Sequence, residues 1–422
     1  MDYQERINWF HQARFGIYIH YGLYSLLQRG EWTMYSERIH PRDYAPLADQ
    51  FSPSARCAEE WVEAACRAGA RYVVLTTRHH DGFCLFDSQH SDFTSSKRGP
   101  KRDLVLEYVT AARKAGLRVG LYYSLLDWRY PGYFQPEKYP DSYQALLQQV
   151  HGQVRELMSN YGKIDLLEYD GGWDAALKMS AEEKINFWRA HELNAMVRQL
   201  QPEIIINNRS GLVEDFDTPE QVVHSSARGR AWESCMCIGD FCGWGYVRHN
   251  PNWKTSTQLL QHLISAAQGE GNYLLNVGPQ PDGHLREEEL DRLRDMGDWL
   301  ARNGEAIYDS RRCALIGGSA PGEVDLNLQG PWTRRGNIGY WCIFRWPGRE
   351  ATAVRVGTPV IRVSLLASGE EFPFQYSAQS GKLHVSGLPK MPPDRHCSVL
   401  RVEFADEPKR APEPDLAAWM LP

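Results

Sequence analysis

The chain has 422 residues, and its 47 Lys and Arg against 53 Asp and Glu give a net charge of −6. This length fits one large barrel with a smaller companion domain and excludes a small scaffold held together by disulfides. The acidic balance, without a basic run that would follow a phosphate backbone, argues against nucleic acid as a partner.

The N-terminus is charged within its first five residues and lacks the apolar segment of a secretory signal. No uncharged apolar run of about 18 residues follows. We therefore expect a cytoplasmic protein with no membrane partner, and the pattern leaves open whether it forms an oligomer.

The nine cysteines are odd in number and scattered, which excludes a complete disulfide framework. Cys235, Cys237 and Cys242 lie near His224 and His249, so a metal site there stays open. Buried free thiols are the favoured interpretation, because free cysteine behaves as a small apolar side chain.

From residue 15 to about 300, short apolar runs alternate with segments of helical period, which indicates an α/β fold with a parallel sheet. Strands are predicted at residues 15–19, 72–76, 117–123, 164–169, 204–207 and 273–277. Helices are predicted at 54–68, 103–115, 141–160, 181–200, 255–268 and 287–301. The stretch 210–250 is irregular, so we expect one or two strands there to be short or missing.

After Ser310 the apolar period changes to two, which predicts a small antiparallel β-sandwich. Its strands are predicted at residues 324–328, 339–344, 353–356, 361–365, 382–385 and 398–404. The tail from Glu407, with Pro408, Pro412 and Pro414, is expected to be extended or disordered. The predicted domains are therefore 1–310, 311–406 and a Pro-rich tail at 407–422.

Polar side chains follow five successive predicted strands, at the point where each strand ends. In order along the chain they are His20, His79 with His80, Tyr123, Asp170, and Arg209. Because the active site of a parallel barrel lies at the carboxyl ends of its strands, we expect these residues to meet at one rim.

The residues at this rim fit two kinds of site, a metal site and a sugar-binding site. A metal site is disfavoured, because adjacent histidines on one loop point apart and neither H-x-H nor H-E-x-x-H occurs. The other use is hydrogen bonding to sugar hydroxyls, which also suits Glu31. Aromatic faces for a sugar ring would come from Trp32, Trp173, Trp232 and Trp244.

Sugar chemistry of this kind needs two carboxyls, which a retaining glycosidase holds about 5 to 5.5 Å apart. Asp170 is the natural nucleophile, because it ends a buried strand before two glycines that leave space for a substrate. The acid/base is expected in the irregular stretch after the fifth strand. Glu214, Glu220 and Glu233 all qualify there, and the residues alone do not choose among them.

The chain resembles the α-L-fucosidases of glycoside hydrolase family 29 over residues 8 to about 310. The motifs that carry the resemblance are RFGIYIHYG, GEW, TTRHHDGFCL, GLYYS, DGGW and GNYLLNVGP. The resemblance implies a (β/α)8-like TIM barrel with a β-sandwich. It also implies a retaining exo-glycosidase that uses no metal or cofactor and releases L-fucose from fucosylated oligosaccharides or glycoconjugates.

Carried over by motif, Asp170 is the nucleophile and Glu220 is the acid/base. The resemblance further assigns sugar contacts to His20, Glu31, Trp32, His79, His80, Tyr123 and Arg209, and it places Trp244 near the methyl group of the deoxy sugar. We therefore expect selectivity for the 6-deoxy sugar from Trp32, Trp173 and Trp244. We also expect the histidines to tie activity to pH.

The chain departs from the family pattern at Glu168, where family members commonly carry tryptophan. This third carboxyl is expected either to face the opposite side of the strand or to contact the substrate. The nearest alternative activity is that of an α-L-galactosidase or a related retaining glycosidase. A non-catalytic fucose-binding protein is less favoured, because Asp170 and Glu220 are both present. A metal-dependent hydrolase on the same barrel would lose activity to a chelator, whereas a glycosidase of this family would not.

Overall fold

Eight strands form a parallel sheet that runs nearly closed around a barrel. In this computed structural model they are β1 (Phe15–Ile19), β2 (Tyr72–Arg78), β3 (Arg118–Ser124), β4 (Leu166–Asp170), β5 (Ile205–Ile206), β6 (Phe216–Asp217), β7 (Ala231–Cys237) and β8 (Asn272–Val277). Their order in the sheet is β5-β4-β3-β2-β1-β8-β7-β6. A parallel bridge between Asn207 and Phe216 joins the two edges. The predicted (β/α)8-like barrel is thereby confirmed.

The structure describes residues 2–171, 179–227, 229–240, 243–315 and 330–412. The chain divides into two compact units, one of Met1–Val222, Ser226–Lys254 and Tyr273–Arg294, the other of Val223–Ser225, Thr255–Asn272 and Asp295–Pro422. The predicted domain boundary after residue 310 stays a prediction.

Along the chain, most of the helices come between successive barrel strands. They are α1 (Tyr3–Ala13), α2 (Tyr24–Leu27), α3 (Thr33–Ser36), α4 (Pro41–Tyr44), α5 (Leu47–Gln50), α6 (Cys57–Arg67), α7 (Leu104–Lys114), α8 (Pro131–Phe134), α9 (Pro140–Asn160), α10 (Ala181–Phe187), α11 (Ala190–Leu200), α12 (Ser256–Gln268) and α13 (Glu287–Asn303). In the described part of the chain, none is long and apolar enough to cross a membrane.

The helix predicted at 181–200 is broken, because Arg189 adopts the left-handed conformation with φ of 47° and ends the first helix before α11 begins. The irregular stretch holds two strands that sequence patterns did not identify. Of these, β6 is two residues long, whereas β7 is seven residues long. Glu233 and Ser234 interrupt the apolar run of β7, so its sequence does not have the pattern of a buried strand.

The amino-terminal end of the barrel is filled from below by α1, whose Phe10 ring packs against Phe216 and Tyr72. Gly16 of β1 is required here. A Cβ at this position would lie 2.4 Å from the Tyr72 ring, so any larger residue would displace a ring that fills the barrel interior.

The described residues of the second unit form two antiparallel sheets. Their strands are β9 (Arg311–Arg312), β10 (Trp332–Arg335), β11 (Ile338–Ile343), β12 (Ala351–Ala353), β13 (Val360–Leu365), β14 (Phe374–Ser377), β15 (Lys382–Val385) and β16 (Ser398–Phe404). The sheet orders are β13-β16-β11-β10-β9 and β12-β15-β14. Both sheets contribute to one apolar core, in which Trp332 stacks on Trp341 with 5.2 Å between ring centroids.

This arrangement confirms the predicted sandwich. The strand predicted at 353–356 lies instead at Ala351–Ala353, and the strand predicted at 324–328 falls outside the described residues. Where the tail is described, it runs as an extended strap: Arg410 bridges to Val356, and the Lys409 amide donates to Thr358 Oγ1 at 2.9 Å.

Candidate active site

A cavity of about 230 Å³ opens at the carboxyl ends of the barrel strands. Side chains from β1, β3, β4 and β7 and from the loops that follow the strands line it. They are Tyr18, His20, Trp32, His79, His80, Tyr122, Glu168, Tyr169, Asp170, Asn207, Arg209, Glu220, Cys235 and Trp244. Eight of the ten residues predicted for the site are among them; Glu31 and Tyr123 are not.

The cavity lining contains Tyr122 and not the predicted Tyr123. Tyr123 points out of the barrel, where its hydroxyl donates to Gln153 of α9 at 2.8 Å and contacts the Arg78 guanidinium. Its neighbour Tyr122 faces the cavity and donates a 2.7 Å hydrogen bond to Asp170 Oδ2. Successive residues of a strand face opposite sides, and both sides of this strand are buried, so the sequence did not distinguish the two tyrosines.

Glu31 is buried behind the lining and acts on the pocket through the backbone. Its Oε2 accepts hydrogen bonds from the Trp244 and Gly245 amides, each at 2.8 Å. These bonds fix the loop that carries the Trp244 ring. Glu31 therefore supports the Trp244 loop, and its predicted contact with the sugar stays a prediction.

Asp170 lies at the end of β4 and is held from two sides. Besides the Tyr122 bond, its Oδ1 accepts from Arg209 Nη1 at 3.1 Å. Burial raises the pKa of Asp170 above its usual range, while the Arg209 charge and the Tyr122 bond oppose that rise. The bonds orient the carboxylate and leave it open to the cavity, where 14% of the side chain is exposed.

Glu220 shares the same guanidinium. Arg209 Nη2 donates to Glu220 Oε1, and Arg209 Nε is anchored on Thr218 Oγ1 at 2.9 Å. The carboxyl is 41% exposed. Partial burial raises the pKa of Glu220, which favours the protonated form that a general acid needs, and the Arg209 charge counteracts it.

The hydrogen bonds around two histidines assign their tautomers. Asn276 Nδ2 donates to the Trp244 carbonyl at 2.7 Å, so Asn276 Oδ1 is the acceptor for His20 Nδ1 at 2.6 Å. In the same way Ser124 donates to the Leu126 carbonyl at 2.7 Å and accepts from His80 Nδ1 at 2.7 Å. Both rings therefore carry the proton on Nδ1, which makes Nε2 the acceptor atom of each ring. Nε2 of His80 lies 3.6 Å from Asp170 Oδ2.

The three histidines of the cavity are buried, and their burial favours the neutral imidazole. Burial lowers the pKa of His20 and of His80 to about 3 and lowers that of His79 well below its usual value. Desolvation disfavours the imidazolium form of a buried histidine. That the histidines tie activity to pH stays a prediction.

Trp232 is buried and is not part of the lining, Trp173 and Cys242 fall outside the described residues, and Trp32 and Trp244 line the cavity. Within the described ranges, no three His, Cys, Asp or Glu side chains come together as a metal-binding group.

Five lining residues were not predicted from the sequence, namely Tyr18, Tyr122, Tyr169, Asn207 and Cys235, and the orientation of Glu168 was left open. Tyr18 lies two residues before His20 and Glu168 two residues before Asp170. The alternation of strand side chains was therefore the available signal for these two.

The chain is similar to known proteins over nearly its whole length. A family model described as Alpha-L-fucosidase matches residues 1–305. The tissue alpha-L-fucosidase of Homo sapiens is 29% identical over 94% of this chain and 87% of its own length.

Solved structures agree with this similarity. Alpha-L-fucosidase isoenzyme 1 from Paenibacillus thiaminolyticus is 33% identical, covers 96% of this chain and 100% of its own, and superposes with a TM-score of 0.85. A GH29 alpha-L-fucosidase from Bacteroides thetaiotaomicron, trapped as a covalent intermediate with 2-fluoro-fucosyl fluoride, is 26% identical over 96% of each chain, with a TM-score of 0.84.

Proposed function

The chain belongs to the α-L-fucosidase family and is a retaining exo-glycosidase that hydrolyses terminal α-L-fucosides, and we propose that Asp170 and Glu220 carry out the reaction. The observation that carries the assignment is that one guanidinium, that of Arg209, hydrogen-bonds both carboxyls at the mouth and wall of one cavity. Two carboxyls held together in this way are the requirement of a retaining glycosidase.

Asp170 is proposed as the nucleophile. Its carboxylate ends a barrel strand, and Tyr122 and Arg209 each donate to one oxygen. In the first step the carboxylate attacks the anomeric carbon, the bond to the leaving oxygen breaks, and a covalent fucosyl-enzyme forms. The positive charge of Arg209 keeps Asp170 ionised for this attack.

Glu220 is proposed as the acid/base in preference to the other two candidates. Glu214 is held by Arg198 at 2.7 Å and by Asn194 Nδ2 at 2.7 Å, away from the cavity lining. Glu233 is buried inside the barrel and accepts from Tyr72. Glu220 lines the cavity and reaches solvent. Both properties are needed in a group that gives a proton to the leaving oxygen and later takes one from water.

The substrate proposed for this pocket is the terminal fucose of a fucosylated oligosaccharide or glycoconjugate. Nε2 of His20 and Nε2 of His80 accept from sugar hydroxyls. The rings of Trp32 and Trp244 contact the apolar face and the methyl group. A hydroxyl at C6 would lose water on entering this apolar region.

We expect discrimination between two sugars that differ in this hydroxyl. The aryl α-L-fucoside is expected to exceed the aryl α-L-galactoside in kcat/KM by about 10- to 100-fold, which corresponds to about 1 to 3 kcal/mol for an unpartnered hydroxyl. Steady-state kinetics with both substrates measure the ratio. Equal kcat/KM values would contradict the prediction and favour the α-L-galactosidase alternative.

His80→Ala is expected to lower kcat/KM by about 100-fold or more, because hydroxyl contacts tighten as the ring distorts toward the transition state. His90→Ala is the matched control, since His90 is 43% exposed and pairs with Glu156 away from the cavity. Assays run with and without EDTA complete the measurement. If bound zinc and activity are lost together, the metal-dependent alternative is favoured.

A further inference from the structure

Asn276 is a polar residue in the apolar strand β8, and the mechanism above gives it no part. It pairs in register with Tyr18 of β1, which lines the cavity, and it is 2% exposed. Side chains directly opposite each other on neighbouring parallel strands lie on the same face of the sheet. The Asn276 side chain therefore points into the barrel, where an amide is costly to bury unless it is hydrogen-bonded.

Both ends of the Asn276 amide are hydrogen-bonded to residues that line the cavity. Oδ1 accepts from His20 Nδ1 at 2.6 Å, and Nδ2 donates to the Trp244 carbonyl at 2.7 Å. The opposite orientation of the amide would place its oxygen against the Trp244 carbonyl, where neither atom has a proton to donate. The amide therefore has one orientation, and this orientation requires the proton of His20 to be on Nδ1.

The two residues that Asn276 joins also contact each other through their rings. The rings of His20 and Trp244 are stacked, with 5.3 Å between their centroids and 26° between their planes. The Tyr18 ring packs edge-on against His20, with 4.5 Å between centroids. Asn276 thus holds both members of a stacked pair, so a change of its side chain alters the position of one ring relative to the other.

The backbone of Trp244 is held at both of its polar groups. Glu31 Oε2 accepts from the Trp244 amide at 2.8 Å, and Asn276 donates to the Trp244 carbonyl. The residues on either side are Gly243, which has a φ of 145°, and Gly245. Because glycine is conformationally permissive, the backbone around Trp244 is weakly restrained by its own sterics. The bonds from two buried side chains supply that restraint.

We propose that Asn276 is a positioning residue for substrate selectivity, which fixes the His20 proton on Nδ1 and keeps the Trp244 ring beside that histidine. The inference rests on the proposed function, in which His20 accepts from a sugar hydroxyl and Trp244 contacts the methyl group. If the proton moved to Nε2 of His20, that atom would no longer accept. If the Trp244 ring moved away from His20, its contact with the methyl group would be lost.

Two substitutions separate the two bonds of Asn276. Asn276→Asp has nearly the same shape and keeps an acceptor for His20, but it puts a second oxygen in place of the donor to the Trp244 carbonyl. Asn276→Leu removes both bonds. In each variant the ratio of kcat/KM for an aryl α-L-fucoside to that for the α-L-galactoside is expected to fall by about fourfold or more. The reason is that the fucoside loses the burial of a methyl group, which the galactoside does not have.

Asn303→Asp is the matched control for a loss of stability. Asn303 ends α13, is 1% exposed, and donates from Nδ2 to the Trp299 carbonyl at 3.3 Å. This variant is expected to have a lower Tm and the wild-type ratio of the two kcat/KM values. A merely structural role of Asn276 would give the same result. A wild-type ratio in Asn276→Asp and Asn276→Leu therefore overturns the proposal.

Trp244→Ala distinguishes a failure of the positioning role from a failure of the proposed function. A wild-type ratio in Trp244→Ala contradicts the proposed contact between Trp244 and the methyl group. A lower ratio in Trp244→Ala together with a wild-type ratio in the Asn276 variants contradicts the positioning role alone. When Trp244 is already alanine, Asn276→Asp is expected to lower the ratio no further, because both changes remove the same contact.

Nitrogen-15 NMR of histidine-labelled protein supplies a readout that does not depend on activity. The shifts of the two ring nitrogens differ between the tautomers, and His20→Gln identifies the signals of His20 by their loss. His20 is expected to carry its proton on Nδ1 in the wild type and in Asn276→Asp, and to populate the other tautomer in Asn276→Leu, which offers no acceptor. An unchanged tautomer in Asn276→Leu overturns the proposed control of His20. If Asn276→Leu does not fold, the kinetic ratio of Asn276→Asp decides the proposal.

Discussion

Asp170→Asn is expected to reduce turnover of an aryl α-L-fucoside by about 1,000-fold or more while the fold and the binding of fucose are retained. The amide keeps the shape of the side chain and its contact with Tyr122, but it cannot attack the anomeric carbon. The loss is expected in kcat, since the change removes a bond formed in the reaction and not a contact of the ground state. Steady-state kinetics, calorimetric binding of fucose and thermal unfolding measure these three quantities.

A second Asp→Asn substitution provides the control. Asp92 is 98% exposed and pairs with Lys97 on the surface, so Asp92→Asn is expected to keep wild-type activity. Activity near the wild-type level in Asp170→Asn would place the nucleophile elsewhere. Glu168 would then be next in line, because it lines the same cavity from the same strand.

Glu220→Ala is expected to hydrolyse fucosylated oligosaccharides at about 1% of the wild-type rate or less. A sugar alkoxide is a poor leaving group and needs a proton, whereas a good aryl leaving group does not. The variant is therefore expected to form the fucosyl-enzyme from an activated aryl fucoside and then to stall, because no base activates water. Added azide needs no base and is expected to restore turnover with release of the fucosyl azide.

The same test applied to the neighbouring carboxyls discriminates among the candidates. Glu233→Ala and Glu214→Ala are expected to show no azide rescue, because one lies inside the barrel on Tyr72 and the other pairs with Arg198. Rescue of Glu233→Ala without rescue of Glu220→Ala would show that the acid/base assignment is wrong. The product anomer also matters, since azide that replaces the general base in a retaining enzyme gives the α-configured azide.

Local patterns in the sequence were sufficient for much of the fold. The strands at Phe15–Ile19 and Lys382–Val385 have the predicted bounds, because short apolar runs between turn signals specify where a strand begins and ends. The seven-residue strand β7 was missed, since Glu233 lies in the middle of its apolar run. A carboxyl inside this strand is tolerated because the hydroxyl of Tyr72, far away in the sequence, donates a hydrogen bond to it.

The sequence by itself determined which residues gather at the rim, because the carboxyl ends of parallel strands meet and His20, His80, Asp170 and Arg209 each follow a strand. Only the tertiary structure decided that Tyr122 and not Tyr123 faces the cavity, and that Glu31 holds the Trp244 loop. Both depend on which face of a fully buried element a side chain takes and on partners up to 214 residues apart. Neither the face that a buried side chain takes nor its distant partner changes the local hydrophobic periodicity. Both are therefore determined by hydrogen bonds between segments that are far apart in the sequence.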